Sequence, residues 1–200
     1  MENNQNTMRK ENCQFKADHL ELLTNKKNGQ QYSTSVESKD GHKVFYGSFR
    51  ARFSVTGSAG GVAGFFTFLD GGQNEADIEI LTNEPKSQIH YTNHLTDGGP
   101  NPTLQPNVNG LDWSQYRTHR FDWTNKATTF FLDDKQTGKL DKGMPTKEST
   151  LIMNMWSSGP KWGGVMKDGE QAIMSVQWMQ AFYNQSATAG SKKCTTFCDI

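Results

Sequence analysis

Apolar and polar positions alternate in short runs from about residue 18 to residue 184, and Gly, Asn, Asp or Pro separates one run from the next. The clearest are HLELL, KVFYGSFRARFSV, GVAGFFTFL, ADIEILT, SQIHYTN, YRTHRFDWT, TTFFLDD, LIMNMW and IMSVQWMQAFYN. A period of two, rich in Val, Ile, Phe, Tyr and Thr, marks half-buried strands, whereas no segment carries a 3.6-residue apolar stripe capped at both ends. Runs of about 5 to 10 residues at short spacing predict an all-β sandwich or barrel. Glycines in SAGGVAG and DGG, with Asp40-Gly41 and Asp133-Asp134, fall where turns are needed, and the Gly, Pro and Asn of residues 96–109 predict the longest loop. Residues 1–17 are polar and aperiodic and are set apart as an N-terminal arm outside the core. Residues 18–184 make one domain, and residues 185–200 a tail with two cysteines.

One strand departs from the general pattern. In NEADIEILT, residues 74–82, Glu75, Asp77 and Glu79 occupy alternate positions and share one face, while Ala76, Ile78 and Ile80 take the other. Ordinary surface strands mix in Lys, Thr or Ser to dilute like charge, so three acids in a row on one face carry a cost. An acid-decorated edge strand exposed to solvent explains an isolated E-x-D-x-E equally well. Crowded carboxyls, however, raise one another's pKa, so one stays protonated near neutrality while its neighbour is ionised. That division supplies the acid and the nucleophile of a retaining glycoside hydrolysis, which needs two carboxyls about 5 to 5.5 Å apart. Glu75 and Glu79 are the candidates, with the shorter Asp77 in a hydrogen-bonding role. Four residues along a flat strand span roughly 13 Å, so this chemistry requires a curved, strongly twisted strand.

Composition narrows the partners. Lys plus Arg and Asp plus Glu both total 21, which leaves no excess charge for a phosphate backbone or an anionic membrane. Nucleic acid and membrane are therefore not expected partners, and no run approaches the roughly 18 apolar residues of a membrane span. Aromatics make up 11% of the chain, including twelve Phe and five Trp, and flat rings suit sugar faces. Cys13, Cys194 and Cys198 allow one link between the chain's ends in an oxidising compartment, with one thiol left over, and Asn184-Gln-Ser186 is a glycosylation sequon. Both fit an extracellular or cell-wall location, although residues 1–14 lack the apolar segment of a leader.

EADIE preceded by FFTFLDGG resembles the active-site strand of glycoside hydrolase family 16, which includes the licheninase- and laminarinase-like endo-β-glucanases. YGSFRARF, YRTHRFDWT and LIMNMWSSG resemble further strands of that family in the same order, so the likeness covers about residues 18–184, and the tail CTTFC resembles the cysteine-bearing end of some fungal members. The resemblance implies a concanavalin A-like β-jelly-roll sandwich with a concave cleft, cleaving β-1,3/β-1,4-linked glucan with retention. Glu75 would be the nucleophile, Glu79 the general acid/base and Asp77 their hydrogen-bonding partner. A cell-wall transglycosylase of the same family and a non-catalytic lectin on the same sandwich are the competing readings, and three acids on one strand argue against the lectin. No catalytic cofactor is implied, a structural calcium is allowed, and a monomer is expected. Two departures stand out: Ala76 replaces a larger aliphatic, and the family's first strand has no evident counterpart upstream of Cys13.

Strand parity extends the candidate site. If Ile89 and Tyr91 face the core, His90, Thr92 and His94 face the cleft, where the resemblance places sugar-binding groups. His90 and His94 lie about 13 Å apart on a strand, too far for one zinc ion, so no metal site is assigned. Asn154 and Trp156 share a face, and the resemblance sets this Trp against a sugar ring. Phe66 and Phe68 are assigned to the cleft, and Trp162, in a glycine-flanked loop, joins them with core packing as its alternative. Trp113, Trp123 and Trp178 read as core or loop residues. Gly-x-Ser-x-Gly, P-loop and G-x-G-x-x-G motifs do not occur.

Overall fold

A computed structural model describes residues 6–39, 42–69, 73–95 and 99–184. All nine runs become strands: β3 (Leu20–Lys27), β5 (Phe45–Gly57), β6 (Val62–Leu69), β7 (Gln73–Leu81), β8 (His90–Asn93), β10 (Arg117–Trp123), β11 (Thr128–Leu132), β13 (Thr150–Trp156) and β14 (Gln171–Asn184). Pattern alone does not find β4 (Gln30–Glu37) or β12 (Lys135–Leu140), whose sequences QQYSTSVE and KQTGKL are mostly polar. Their places are secured by ladder bonds to neighbours rather than by apolar alternation. Within the expected 96–109 loop, Thr103–Leu104 forms a short strand, β9, paired with β8.

The strands form two antiparallel sheets packed face to face. One runs β12-β11-β10-β5-β14-β3 and the other β13-β6-β7-β8-β9. β4 joins them, since residues 30–32 pair with β3 and residues 34–37 pair with β13. Hairpins account for β6 to β9 and β10 to β12, but the seams β5/β14, β5/β10 and β4/β13 join strands far apart in sequence, the crossing connectivity of a jelly roll. Phe49, Phe53, Phe121, Trp123 and Phe130 from the first sheet meet Phe65, Ile78, Ile80, Tyr91 and Met155 from the second, all within 1% of complete burial. Facing rings lock this layer, as in the Tyr91–Phe130 stack at 4.2 Å.

The N-terminal segment corrects two expectations. Thr7–Met8 forms β1, upstream of Cys13 and parallel to β4, and Cys13–Phe15 forms β2, antiparallel to β3. Asn12 is buried and donates to the Leu23 carbonyl at 3.3 Å and to Asn25 Oδ1 at 3.0 Å. Residues 6–15 therefore belong to the sandwich, held by backbone pairing and amide side chains that leave no apolar periodicity to read. Residues 185–200, with Cys194, Cys198 and the rest of the sequon, and the turn residues Asp40, Gly41, Asp70, Gly71 and Gly72 lie outside the described residues.

The acidic strand is irregular at its start. Phe66 pairs with Asp77 and Thr67 with Ala76, but Leu69 pairs with Gln73, so Phe68 alone faces both Asn74 and Glu75. This is a β-bulge, which bends its strand and re-aims the side chains beside it. Asn74 adopts φ 63°, a left-handed conformation that Asn tolerates better than most residues. Its Oδ1 accepts from the Thr146 backbone N–H at 2.8 Å and from Thr146 Oγ1 at 3.1 Å, and its carbonyl accepts from Ser149 Oγ at 3.2 Å. Asn74→Ala keeps the strained backbone and loses both side-chain bonds, so chemical denaturation should register a loss of about 2–4 kcal/mol. Asn74→Gly relieves the backbone and should lose roughly 1 kcal/mol less; equal losses would refute this account of the bulge.

Candidate active site

The outer face of the second sheet carries a cleft of about 360 Å³. Its floor is built by parity: Phe66 and Phe68 from β6, Glu75, Asp77 and Glu79 from β7, and Ile152, Asn154 and Trp156 from β13. The inward partners on these strands, Phe65, Ile78 and Met153, fill the core and so fix which side each cleft residue takes. Gly64, a residue the sequence reading passed over, pairs with Glu79 on one side and Asn154 on the other. A Cβ there would lie 2.6 Å from Asn154 Oδ1 and 3.2 Å from the Phe66 ring, so only glycine leaves room between these groups. Asn154 Oδ1 is itself buried without a hydrogen-bond partner, an acceptor left unsatisfied beneath the cleft floor.

The three acids are pushed toward their neutral forms. Burial, reinforced by the Asp77 charge, lifts Glu75 from its usual 4.5 to about 8. Burial and then the Glu75 charge lift Glu79 to about 7. Asp77, only 3% exposed, is raised by burial first and by Glu79 second, and its carboxyl hydrogen-bonds that of Glu75. Like charges in a poorly solvated place cannot all ionise, so the cluster retains protons near neutrality. His94 acts in the opposite sense on both glutamates. Its Nε2 lies 3.0 Å from Asp77 Oδ2, a close contact though not an aligned hydrogen bond. Asn101, also missed in the sequence, sets that ring: the Leu95 backbone N–H donates to Asn101 Oδ1 at 3.0 Å, which turns the Asn101 amide N–H toward His94 Nδ1, also at 3.0 Å. His94 Nε2 is then the ring N–H that faces Asp77.

The family model of glycosyl hydrolases family 16 matches residues 1–180 of this chain. The chain belongs to glycosyl hydrolase family 16. A beta-glucanase of Acetivibrio thermocellus is 29% identical over 138 residues, covering 64% of this chain and 40% of that protein, so the chain spans less than half the length of the curated relative. Among solved structures, a Bacillus licheniformis beta-glucanase superposes with a TM-score of 0.79 at 18% identity, covering 90% of this chain and 86% of the other. A laminarinase of Flavobacterium sp. UMI-01 gives 0.73 at 20% identity, covering 90% and 84%. At such identities the two structures speak for a shared jelly-roll fold.

Not every residue assigned to the family 16 cleft reaches it. His90 and Thr92 pair with Glu79 and Asp77 across the β7/β8 ladder and so share the acidic face. His90 is nevertheless 1% exposed, with Nε2 2.6 Å from Glu84 Oε2 and the Trp162 ring edge-on at 4.7 Å. Thr92 is buried against Thr103, Oγ1 to Oγ1 at 3.2 Å, where β9 covers it. Parity gave both the right face; the segments that fold over β8 bury both, and Trp162, half-buried, packs on His90 beside the cavity that the acids line. Trp113 and Trp123 are core residues, each with its indole N–H donated to a proline carbonyl, Pro85 and Pro145. Among the described residues one set of metal-ligating side chains converges: Glu75, Asp77 and His94 offer atoms within 4.8 Å of one another. These are the groups that acid/base chemistry needs.

The raised pKa values tie stability to pH with a definite sign. Between the ordinary value of 4.5 and about 8, the folded chain holds protons on Glu75 and Glu79 that the unfolded chain has released, so stability falls as pH rises through that window. Glu75→Gln and Glu79→Gln each remove one such group. Thermal unfolding from about pH 5 to about pH 8.5 should show either variant gaining on the wild type, by roughly 1–3 kcal/mol at the alkaline end. A difference constant across that range would contradict the charge-crowding account.

Proposed function

We propose that this family 16 domain is a retaining endo-β-glucanase, cleaving β-1,3/β-1,4-linked glucan in the cleft on its second sheet. The observation that carries the reading is the set of three interleaved carboxyls on one bulged strand, buried enough to hold protons near neutrality, on a floor lined by Phe66, Phe68 and Trp156. Aromatic rings accept the apolar faces of sugars. The beta-glucanase and laminarinase names of the relatives and neighbours support the substrate class.

In this mechanism the proton that the hydrogen-bonded Glu75–Asp77 pair retains near neutrality passes to Asp77 as the reaction begins, leaving Glu75 ionised for attack. The Glu75 carboxylate attacks the anomeric carbon and forms an ester to the sugar as the glycosidic C–O bond breaks. Glu79 gives its proton to the departing oxygen. Glu79 then takes a proton from water, whose oxygen attacks the same carbon and releases Glu75. His94, held by Asn101, steadies Asp77 throughout. Only carboxyl chemistry is used, so the proposal includes no catalytic cofactor; a calcium ion, if bound elsewhere, would be structural. We also propose a monomer acting outside the cell or in its wall, a reading supported by the balanced charge and the sequon beginning at Asn184.

Reducing-sugar release from barley β-glucan, lichenan and laminarin tests the reading. Wild type should act on at least one, and Glu75→Gln and Glu79→Gln should each lower kcat/KM by at least about 100-fold. Glucan binding without release from any of the three would sink the hydrolase reading and favour the lectin, whereas oligosaccharide lengthening with an added sugar acceptor would favour the transglycosylase.

A further inference from the structure

One end of the first sheet, which holds none of the three acids, carries a second cavity, of about 650 Å³ against about 360 Å³ for the cleft. β5 lies between β10 and β14, and all three contribute to it: Tyr46 and Ser48 from β5, Asp122 and Asn125 from the end of β10 and the turn after it, Phe182 and Asn184 from the end of β14. The glucan chemistry makes no use of this space. Its shape follows from a break in pairing. Tyr183 pairs with Gly47 and Asn184 with Phe45, so Tyr46 has no partner across that ladder. Tyr46 is the extra residue of a β-bulge, with φ 46°, and its ring lies 5.4 Å from that of Trp123.

Along β14 itself the period of two is kept. Tyr183 packs toward the core, and Phe182 and Asn184 share the opposite face. Two residues of strand span roughly 6–7 Å, so the Phe182 ring and the Asn184 amide are neighbours on the wall of one cavity. The Arg50 guanidinium lies 5.5 Å from the centre of the Phe182 ring. Asn184, the last residue of β14, is exposed.

Asn184 also opens Asn184-Gln-Ser186, the single N-x-S/T sequon of the chain, since the middle proline disqualifies Asn101-Pro-Thr103. Such triplets arise often by chance. This one differs in its setting: the acceptor amide is exposed, and an aromatic side chain two residues earlier lines the same cavity. One face of an N-acetylglucosamine ring is C–H rich and packs on an aromatic ring, while its hydroxyls and acetamide need polar partners. Asn125, exposed on the far side of the cavity, offers an amide.

We propose that Asn184 carries an N-linked glycan whose first N-acetylglucosamine lies on Phe182 in this cavity. In the attachment step Asn184 Nδ2 bonds to C1 of the sugar at the head of a polyprenyl diphosphate-linked oligosaccharide, and the C1–O bond to the diphosphate breaks. The amide loses one proton, and the polyprenyl diphosphate leaves with the electron pair of the broken bond. The folded chain then supplies the seat, which ties the end of β14 to the glycan. This rests on the extracellular reading of the protein and is independent of its catalytic assignment.

The test expresses the whole 200-residue chain behind a secretion leader in a yeast that N-glycosylates, so the route is imposed and the site alone is in question. Intact mass should show one N-glycan, removed by peptide N-glycosidase with Asn184 turned to Asp, and absent from Ser186→Ala. Thermal unfolding reads the seat. Glycosylated wild type should melt about 2–4 °C above Ser186→Ala, the shift expected of one aromatic contact. In a Phe182→Ala background, where the sequon is intact, the glycan should move the midpoint by less than about 1 °C. Trimming to a single N-acetylglucosamine should preserve the wild-type shift, because only the first sugar reaches the ring. A secreted chain without the glycan would overturn the site; a shift that persists in Phe182→Ala, or is lost on trimming, would overturn the seat. Native protein found only inside its source cells would instead overturn the extracellular reading, with the yeast results unchanged.

Discussion

Everything at the cleft depends on keeping three carboxyls together on one face of β7, out of bulk water. Mutual repulsion and desolvation both push against it, and a free or edge strand would relieve both by turning its acids outward. β7 has no such freedom. It is hydrogen-bonded on both sides, to β6 and β8, and its other face places Ala76, Ile78 and Ile80 in the core at no more than 1% exposure. Rotating the acids into water would expose those three apolar residues, a cost of several kcal/mol. The strain of charge crowding is thus held by hydrophobic burial on the reverse of the same strand.

The surroundings refine that arrangement rather than create it. The bulge at Asn74 and Glu75 bends the strand end, and the loop residues Thr146 and Ser149 hold the bend in place. Gly64 opens the floor between Glu79 and Asn154, where any side chain would collide. His94 enters from the end of β8 with its ring set by Asn101, and lowers the glutamates that burial raises. The core spends polar groups elsewhere with no such purpose: His119 is buried, stacked 4.1 Å from Phe53, has neither ring nitrogen bonded, and is pushed down to about 3, so it stays neutral. Depth alone perturbs a titratable group; only convergence of several around a cavity makes chemistry from the perturbation.

The two outer faces of the sandwich illustrate the same distinction. On the first sheet, Arg50 lies opposite Arg120, and the guanidiniums spread over the rings of Phe182 and Phe131 while Asp122 and Asp134 balance them. Those charges are mixed in sign and near solvent. On the second sheet the charges are of one sign and buried.

Parity and periodicity were enough to place nine strands, to assign the acids to one face and Ala76, Ile78 and Ile80 to the other, and to pair Phe66 with Phe68 and Asn154 with Trp156, because a strand's period of two is a local property; which of those faces lines the cleft was not set by parity. β4, β12 and the N-terminal strands were not legible, since polar runs such as QQYSTSVE become strands only when a neighbour offers its ladder. Facing and exposure are also separate questions: His90 and Thr92 have the predicted face, yet residues distant in sequence, Glu84, Trp162 and Thr103, cover them. Asn101 gave no signal, as it acts through a ring that only the fold brings within 3 Å or so. The sequence by itself determined strand identity, inward and outward faces, and the acid triad, all set by nearest-neighbour geometry. Tertiary structure alone decided which outward residues stay open, how the acidic strand bends, and that the polar N-terminal segment joins the sandwich, because those outcomes depend on loop closure and long-range pairing that no local pattern encodes.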